Sequence, residues 1–331
     1  MSPEASRSVG HGRSEAGSDG ILAVRNRSGL VETTHHGAVA VVGVSGNLIA
    51  SAGDIETVFF LRSSAKPFQA LIAQEAGADM SRQQLALACA SHDGDPVHLA
   101  LVEQMLDEVG LDESALRCPP SFPLGSRARD LVASVNTQPR RAWHNCSGKH
   151  AAWLRSCVAN NWPTETYLQP DHPLQAQTRA LVSELGSFPV DPVGVDGCGA
   201  PVLRTTVRAM ATMFARMAGE ERFGEVFAAM HNYPALVSGT ENGDALIATA
   251  FHAAAKRGAA GCVAVAVKDQ FGVGAKSWDG VGQVAEMAAA HALASVMPPV
   301  PALVAALEPV MSPPVLGGGE PVGSFESRLV L

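Results

Sequence analysis

With 331 residues, 47% hydrophobic content and a formal net charge of −8, the chain can bury a sizeable core as one large domain or two closely packed ones. The acidic balance and the lack of any run of Lys or Arg argue against a nucleic-acid footprint or an electrostatic membrane tether, and no apolar run approaches a membrane span, so small-molecule chemistry is expected. Six cysteines, Cys89, Cys118, Cys146, Cys157, Cys198 and Cys262, are too sparse for a disulfide framework; as thiols in a reducing compartment, any special one is expected to be a metal ligand or a nucleophile.

The first twenty residues, MSPEASRSVGHGRSEAGSDG, are polar and Gly/Ser-rich and lack the apolar core of a signal peptide. This predicts a disordered tail over 1–20 and a cytoplasmic protein, with residues 21–331 forming one domain. Residues 38–44 (AVAVVGV) and 48–51 (LIAS) are β-rich runs around Ser45-Gly46-Asn47, a hairpin signature, and 57–61 (TVFFL) reads as a further strand. Ser81 with Gln84 makes a capping box ahead of QLALACA, predicting a helix over 81–90, and helical spacing follows at 96–109, 149–160, 174–186, 203–218 and 243–256. Residues 261–267 (GCVAVAV) and 271–277 (FGVGAKS), separated by Lys268-Asp269-Gln270, read as a second hairpin. Strands at both ends and helices between them predict an α/β (α+β) fold. One antiparallel sheet would be built from about 21–65 and 258–331, with a helical part over about 66–257 and a cleft between the two.

The stretch RSSAKPFQA places Ser63 and Lys66 in an S-x-x-K arrangement at a helix start. A serine hydroxyl attacks only when a base takes its proton. A lysine can be that base where burial or a neighbouring cation brings its pKa down, and Lys66 lies among apolar residues with Arg62 nearby. Alone, S-x-x-K arises by chance in most chains of this length. Two further elements follow in chain order. Ser91-His92-Asp93-Gly94 is either a polar triplet facing a site or a capping turn. Lys276-Ser277 is either the cleft strand that S-x-x-K enzymes of the β-lactamase kind require or a solvated edge guard. Finally, HNCSGKH, residues 144–150, sets Cys146 and Lys149 one turn apart on one side of a helix. By itself that pattern fits a buried thiol beside a solvated amine as well as a reactive site.

On these segments the chain resembles a known family, the Rhizobium-type L-asparaginases, also called the class 3 or asparaginase II family. RSSAKPFQA, ASHDGDPVH, HNCSGKHAAW, GVDGCGAPV, SGTENGDAL and GVGAKSWDGVGQVA match in family order over roughly residues 20–325. The resemblance implies a serine β-lactamase/glutaminase-like fold, a homodimer, and hydrolysis of L-asparagine to L-aspartate and ammonia by two Ser-Lys pairs. Ser63 would be the nucleophile with Lys66 as its base, and Ser91 with Lys276 the second pair. It also implies zinc held by two cysteines and a lysine, matched here by Cys146, Lys149 and Cys198; thiolates suit zinc, and the lysine must be neutral to donate a lone pair. Arg62 is positioned to meet a substrate carboxylate, and His92, Asn145 and Asp196 complete the expected substrate-binding set. Asn145, Asp196 and His150 flank the zinc ligands and are expected to orient substrate or metal. The chain departs from the family pattern at Ala260, where an acidic residue is expected, and at Gln283, where an arginine is expected. Two other readings stay open: a penicillin-recognising serine enzyme, and a non-enzymatic zinc protein in which Cys146, Lys149 and Cys198 only staple the fold.

Overall fold

The structure, a computed structural model, describes residues 20–134 and 137–331, so the tail expected over 1–20 lies, but for Gly20, outside the described residues. The long strand Leu30–Gly43 is the spine of the molecule. Its first half pairs with Ile21–Arg27, and its second half, from Gly37 opposite Ser277 to Gly43 opposite Phe271, pairs with the far end of the chain. Among the described residues this gives an eight-stranded antiparallel sheet. Its order is Pro314–Gly317, Glu320–Ser327, Ile21–Arg27, Leu30–Gly43, Phe271–Ser277, Cys262–Val267 and Ala254–Gly258, with Leu48–Ala52 also on Leu30–Gly43. The sheet is therefore built from both chain ends with a helical middle, as the sequence predicts.

Side-chain alternation sets two different faces. Val39, Val41, Val273 and Ala275 join one core with Met287 and Leu293 of the helix Gly282–Val296, while Ala38, Ala40 and Val42 meet Val207, Ala211 and Ala215 of the helix Val207–Gly219. Both faces are covered, which is why these strands read as continuous apolar runs. Gly272 and Gly274 lie on the face toward Val207–Gly219. A Cβ at Gly272 would stand 2.2 Å from the backbone nitrogen of Ala215, so only glycine lets that helix lie directly on the strand.

The expected hairpins form, with Phe271–Ser277 at the predicted bounds. The capping box on Ser81 and Gln84 is present, and the helix spans Arg82–Ala88. Pro96–Asp107, Ser147–Asn160 and Pro173–Gly186 agree with expectation to within a turn. Three expectations are corrected. The strand over 57–61 shrinks to Phe59–Phe60, which pairs with Arg204–Thr205. That pairing also takes the start of the helix expected over 203–218, which begins at Val207 behind the Thr206 cap. The helix expected over 243–256 ends at Ala250, because Ala254–Gly258 pairs with Cys262–Val267 as an edge strand; alanine's helix preference is small beside the gain from edge pairing. Among the described residues no helix is long and apolar enough to cross a membrane.

Candidate active site

A cleft of about 710 Å³ opens between the helical middle and the sheet edge, with Ser63, Ser91 and Asn145 on its helical side and Arg257, Gly258 and Glu286 opposite. Ser63 reaches it through a tightly built turn. The Leu61 amide donates to Leu203 O at 2.9 Å, Arg62 follows with a left-handed φ of 50°, and Arg62–Ala65 form one 3-10 turn that runs into the helix Lys66–Glu75. A non-glycine residue in that region is strained. Here the arginine is tied down, since its Nε and a terminal nitrogen both lie 2.8 Å from Asp196 Oδ1. The Arg62 guanidinium is thus committed to an internal carboxylate.

Lys66 is buried, and its amine donates to Ser91 Oγ at 2.9 Å, to Asn145 O at 3.4 Å and to Ala90 O. The capped helix Arg82–Ala88 ends just before these acceptors, and the Ser91 amide is fixed on Val237 O at 2.9 Å. The structure therefore joins Lys66 to Ser91, while the Ser63 hydroxyl lines the cleft and makes no hydrogen bond among the described residues. Lys276 comes from the end of its strand, as expected. Its amine donates to Ala260 O at 2.7 Å and to Ser277 O, and lies 5.2 Å from the Trp278 ring centre. Burial holds its pKa below the ordinary lysine value, and among the described residues no hydrogen bond joins it to Ser91. His92 is enclosed: its Nε2 is 2.8 Å from Ser147 Oγ and its ring stacks on His98 at 5.1 Å. Burial, with His98 and Lys66 nearby, keeps it neutral, and it does not line the cleft. Asn145 does line it, and its carbonyl also accepts from the His92 amide at 3.2 Å.

Cys146 caps the helix Ser147–Asn160, whose first turn carries Lys149, and Cys198 arrives from the turn between Gly194–Val195 and Pro201–Val202. All three are buried, and Lys149 Nζ lies 3.3 Å from Cys198 Sγ and 4.4 Å from the Trp153 ring centre. The hydrogen bond from Cys146, with the Lys149 charge adding to it, holds Cys198 far below the usual thiol range; the same bond, together with burial, holds Cys146 well above it against the pull of Lys149. Nearby, the buried His150 Nε2 has no hydrogen-bond partner. Among the described residues no group of three or more His, Cys, Asp or Glu side chains could hold a metal; this cluster has three donors only when the lysine is counted. Two sulfurs, one favoured as thiolate, together with the Lys149 amine make three donors whose chemistry fits zinc.

Sequence reading missed the charges on the far wall. The edge strand brings Lys256 and Arg257 to Asp244, at the start of the helix Gly243–Ala250. The Lys256 and Asp244 side chains are fully buried 3.5 Å apart, and the Arg257 amide donates to Asp244 Oδ2 at 3.0 Å. Burial pushes Lys256 down to about 8, and it pushes Glu286, with Asp244 adding to the effect, up to about 7. Asp244 and Lys256 stand twelve positions apart, which within a continuous helix would have kept them far from contact. The only signal was three charges in otherwise alanine-rich sequence. Ala260 and Gln283, the two departures from the family pattern, both line the cleft.

No protein of curated function matches the sequence. Among solved structures the chain is similar to Mglu in its glutamate form, at 15% identity over 78% of this chain and 60% of that one, with a TM-score of 0.46. It is also similar to a β-lactamase from Mycobacterium bovis (16%, 78% and 94%, TM-score 0.39) and to Bacillus glutaminase (13%, 78% and 90%, TM-score 0.37). The chain spans about six-tenths of the length of the Mglu chains it matches first. TM-scores this low leave the assignment to the sequence. The family described as L-asparaginase II matches residues 23–327, which takes in all of the sheet but Ile21 and Leu22 and every site residue above, and the chain belongs to that family.

Proposed function

We propose that the protein is an amidohydrolase that converts L-asparagine to L-aspartate and ammonia. The observation that carries this reading is the opening of Ser63 and Ser91 on one cleft, with the buried Lys66 amine 2.9 Å from Ser91 Oγ. Ser63 Oγ attacks the side-chain amide carbon and its proton passes to the Lys66 amine acting as general base; backbone amides at the helix start hold the oxyanion. As the C–N bond breaks, Ser91 hands a proton from Lys66 to the departing ammonia. Water then attacks the ester, aspartate leaves and Ser63 regains its proton. Lys276, the second lysine, supports Ser91 in the relay from the strand side. The paired Arg62 and Asp196 act as one unit that orients the turn carrying Ser63, and Asn145 holds the Lys66 amine through its carbonyl. Cys146, Lys149 and Cys198 would hold zinc, which when bound supplies a fixed positive charge beside the cleft. The protein acts as a homodimer in the cytoplasm, its mass in solution being the check on the dimer.

Ammonia release across L-asparagine, L-glutamine and small amides, set beside nitrocefin cleavage, tests the reading. Asparagine is expected to be the best substrate and nitrocefin inert. Nitrocefin turnover without ammonia release from asparagine overturns it in favour of a penicillin-recognising enzyme.

A further inference from the structure

The far wall of the cleft carries charges that the hydrolytic steps do not use. The Arg257 side chain makes no hydrogen bond among the described residues; its one ion pair is loose, with Nε 3.8 Å from Asp244 Oδ1. Asp244 Oδ2 accepts from the Arg257 amide and Lys256, while its Oδ1 has no hydrogen-bond partner among the described residues. On the same wall lies Glu286, from the helix Gly282–Val296, whose carboxyl accepts no hydrogen bond among the described residues. Its place is built: a Cβ at Gly243 would stand 2.4 Å from Glu286 Oε2, so the glycine leaves the carboxyl its room. Burial raises its pKa to about 7, as expected of a carboxylate lacking donors. The other carboxylates on the cleft differ. Asp93 Oδ2 accepts from Asn242 Nδ2 at 3.0 Å, and Glu241 is exposed at the rim.

A cation with open donors and an anion with open acceptors thus share a wall of the cleft without pairing with each other. The ligand that satisfies both has an ammonium and a carboxylate on one carbon, which is the head of a free α-amino acid. The Arg62 guanidinium, engaged by Asp196, leaves Arg257 as the cleft cation with donors to spare. We propose that Glu286 and Arg257 bind the α-ammonium and α-carboxylate of the substrate, so that the site selects zwitterionic amino-acid amides over plain amides. This rests on the amidohydrolase reading above and names the part of its cleft that recognises the substrate.

The test compares wild type with Glu286→Gln and Arg257→Gln on three amides: L-asparagine, succinamic acid, which lacks the ammonium, and 3-aminopropanamide, which lacks the carboxylate. Glu286→Gln is expected to raise KM for asparagine about tenfold to a hundredfold, the scale of one hydrogen bond to a charged group. Its kcat should stay within about threefold, because ground and transition states share this contact, and succinamic acid should be unaffected. Arg257→Gln should weaken asparagine and succinamic acid alike and spare 3-aminopropanamide. Equal losses for asparagine and succinamic acid in Glu286→Gln, or no change in KM, overturn the proposal. Thermal shifts with L-aspartate and succinate separate it from the catalytic reading. Wild type should be stabilised more by aspartate, and Glu286→Gln should lose that preference. If wild type shows the preference but releases no ammonia, the hydrolytic reading falls and the head-group site stands; if wild type shows none, the site falls.

Discussion

Replacing Asp244 by Asn should produce a stability loss that grows as pH falls. Asp244 and Lys256 are fully buried 3.5 Å apart, and burial already brings Lys256 down from 10.5 to about 8 despite its partner. Without the carboxylate charge Lys256 is a buried cation facing Arg257 and Lys66, and its native pKa must drop further. The lysine escapes by losing its proton, which caps the cost. From a native pKa of about 8, neutrality at pH 7 costs at most about 1.4 kcal/mol beyond wild type, and about 1.4 kcal/mol more for each further pH unit downward. The Arg257 amide keeps an oxygen acceptor but loses its charge, worth about 1 kcal/mol. The total is about 2.4 kcal/mol at pH 7, a fall in Tm of about 3–4 °C for a chain of this size, and about 3.8 kcal/mol at pH 6. Because the folded pKa of Lys256 lies below its unfolded value, the native state sheds that proton first, and its wild-type contribution to stability rises between about pH 8 and 10.5. In the variant this rise starts at lower pH, so the two curves converge upward. Urea unfolding from pH 5.5 to 9 measures the gap, and Asp244→Asn with Lys256→Met should make it nearly independent of pH. A gap that stays constant between pH 8 and 6 refutes the reasoning.

Ser63→Ala should keep its fold and lose turnover by about a thousandfold or more, as expected for groups that act as a unit; retention of a tenth of the rate would move the nucleophile to Ser91. Lys66→Met, which leaves Ser91 Oγ without the donor now 2.9 Å away, should lose activity on a similar scale while circular dichroism stays native. Purified protein never exposed to chelator should hold close to one zinc per chain, and Cys198→Ser should remove most of it. An elemental assay finding no zinc in the wild type would sink that assignment. Asp196→Ala frees the Arg62 guanidinium, whose backbone is strained; it should lower kcat by about tenfold or more through misplacement of Ser63, and unchanged kcat would remove the pair from the site.

What the sequence determined by itself was local chemistry and its order along the chain. Capping by Ser81 and Gln84, the hairpin around Gly46 and the apolar run of Phe271–Ser277 depend on neighbours within a few residues, and they stand as read. The S-x-x-K turn, the Cys146 and Lys149 spacing and the segments shared with the family were legible for the same reason, since each is contained in a short run of chain. Tertiary structure decided whatever depends on pairing across distance. The alanine-rich stretch at 254–258 became a strand because the edge of Cys262–Val267 had unmet hydrogen bonds. That choice carried Lys256 and Arg257 to Asp244 and Glu286, which no spacing could signal. It also decided that Lys66 reaches Ser91, that Arg62 is spent on Asp196 and that His92 is sealed behind Ser147. The physical reason is that a side chain's partner is set by which backbones the sheet and helices bring together, and sheet pairing joins residues more than two hundred positions apart.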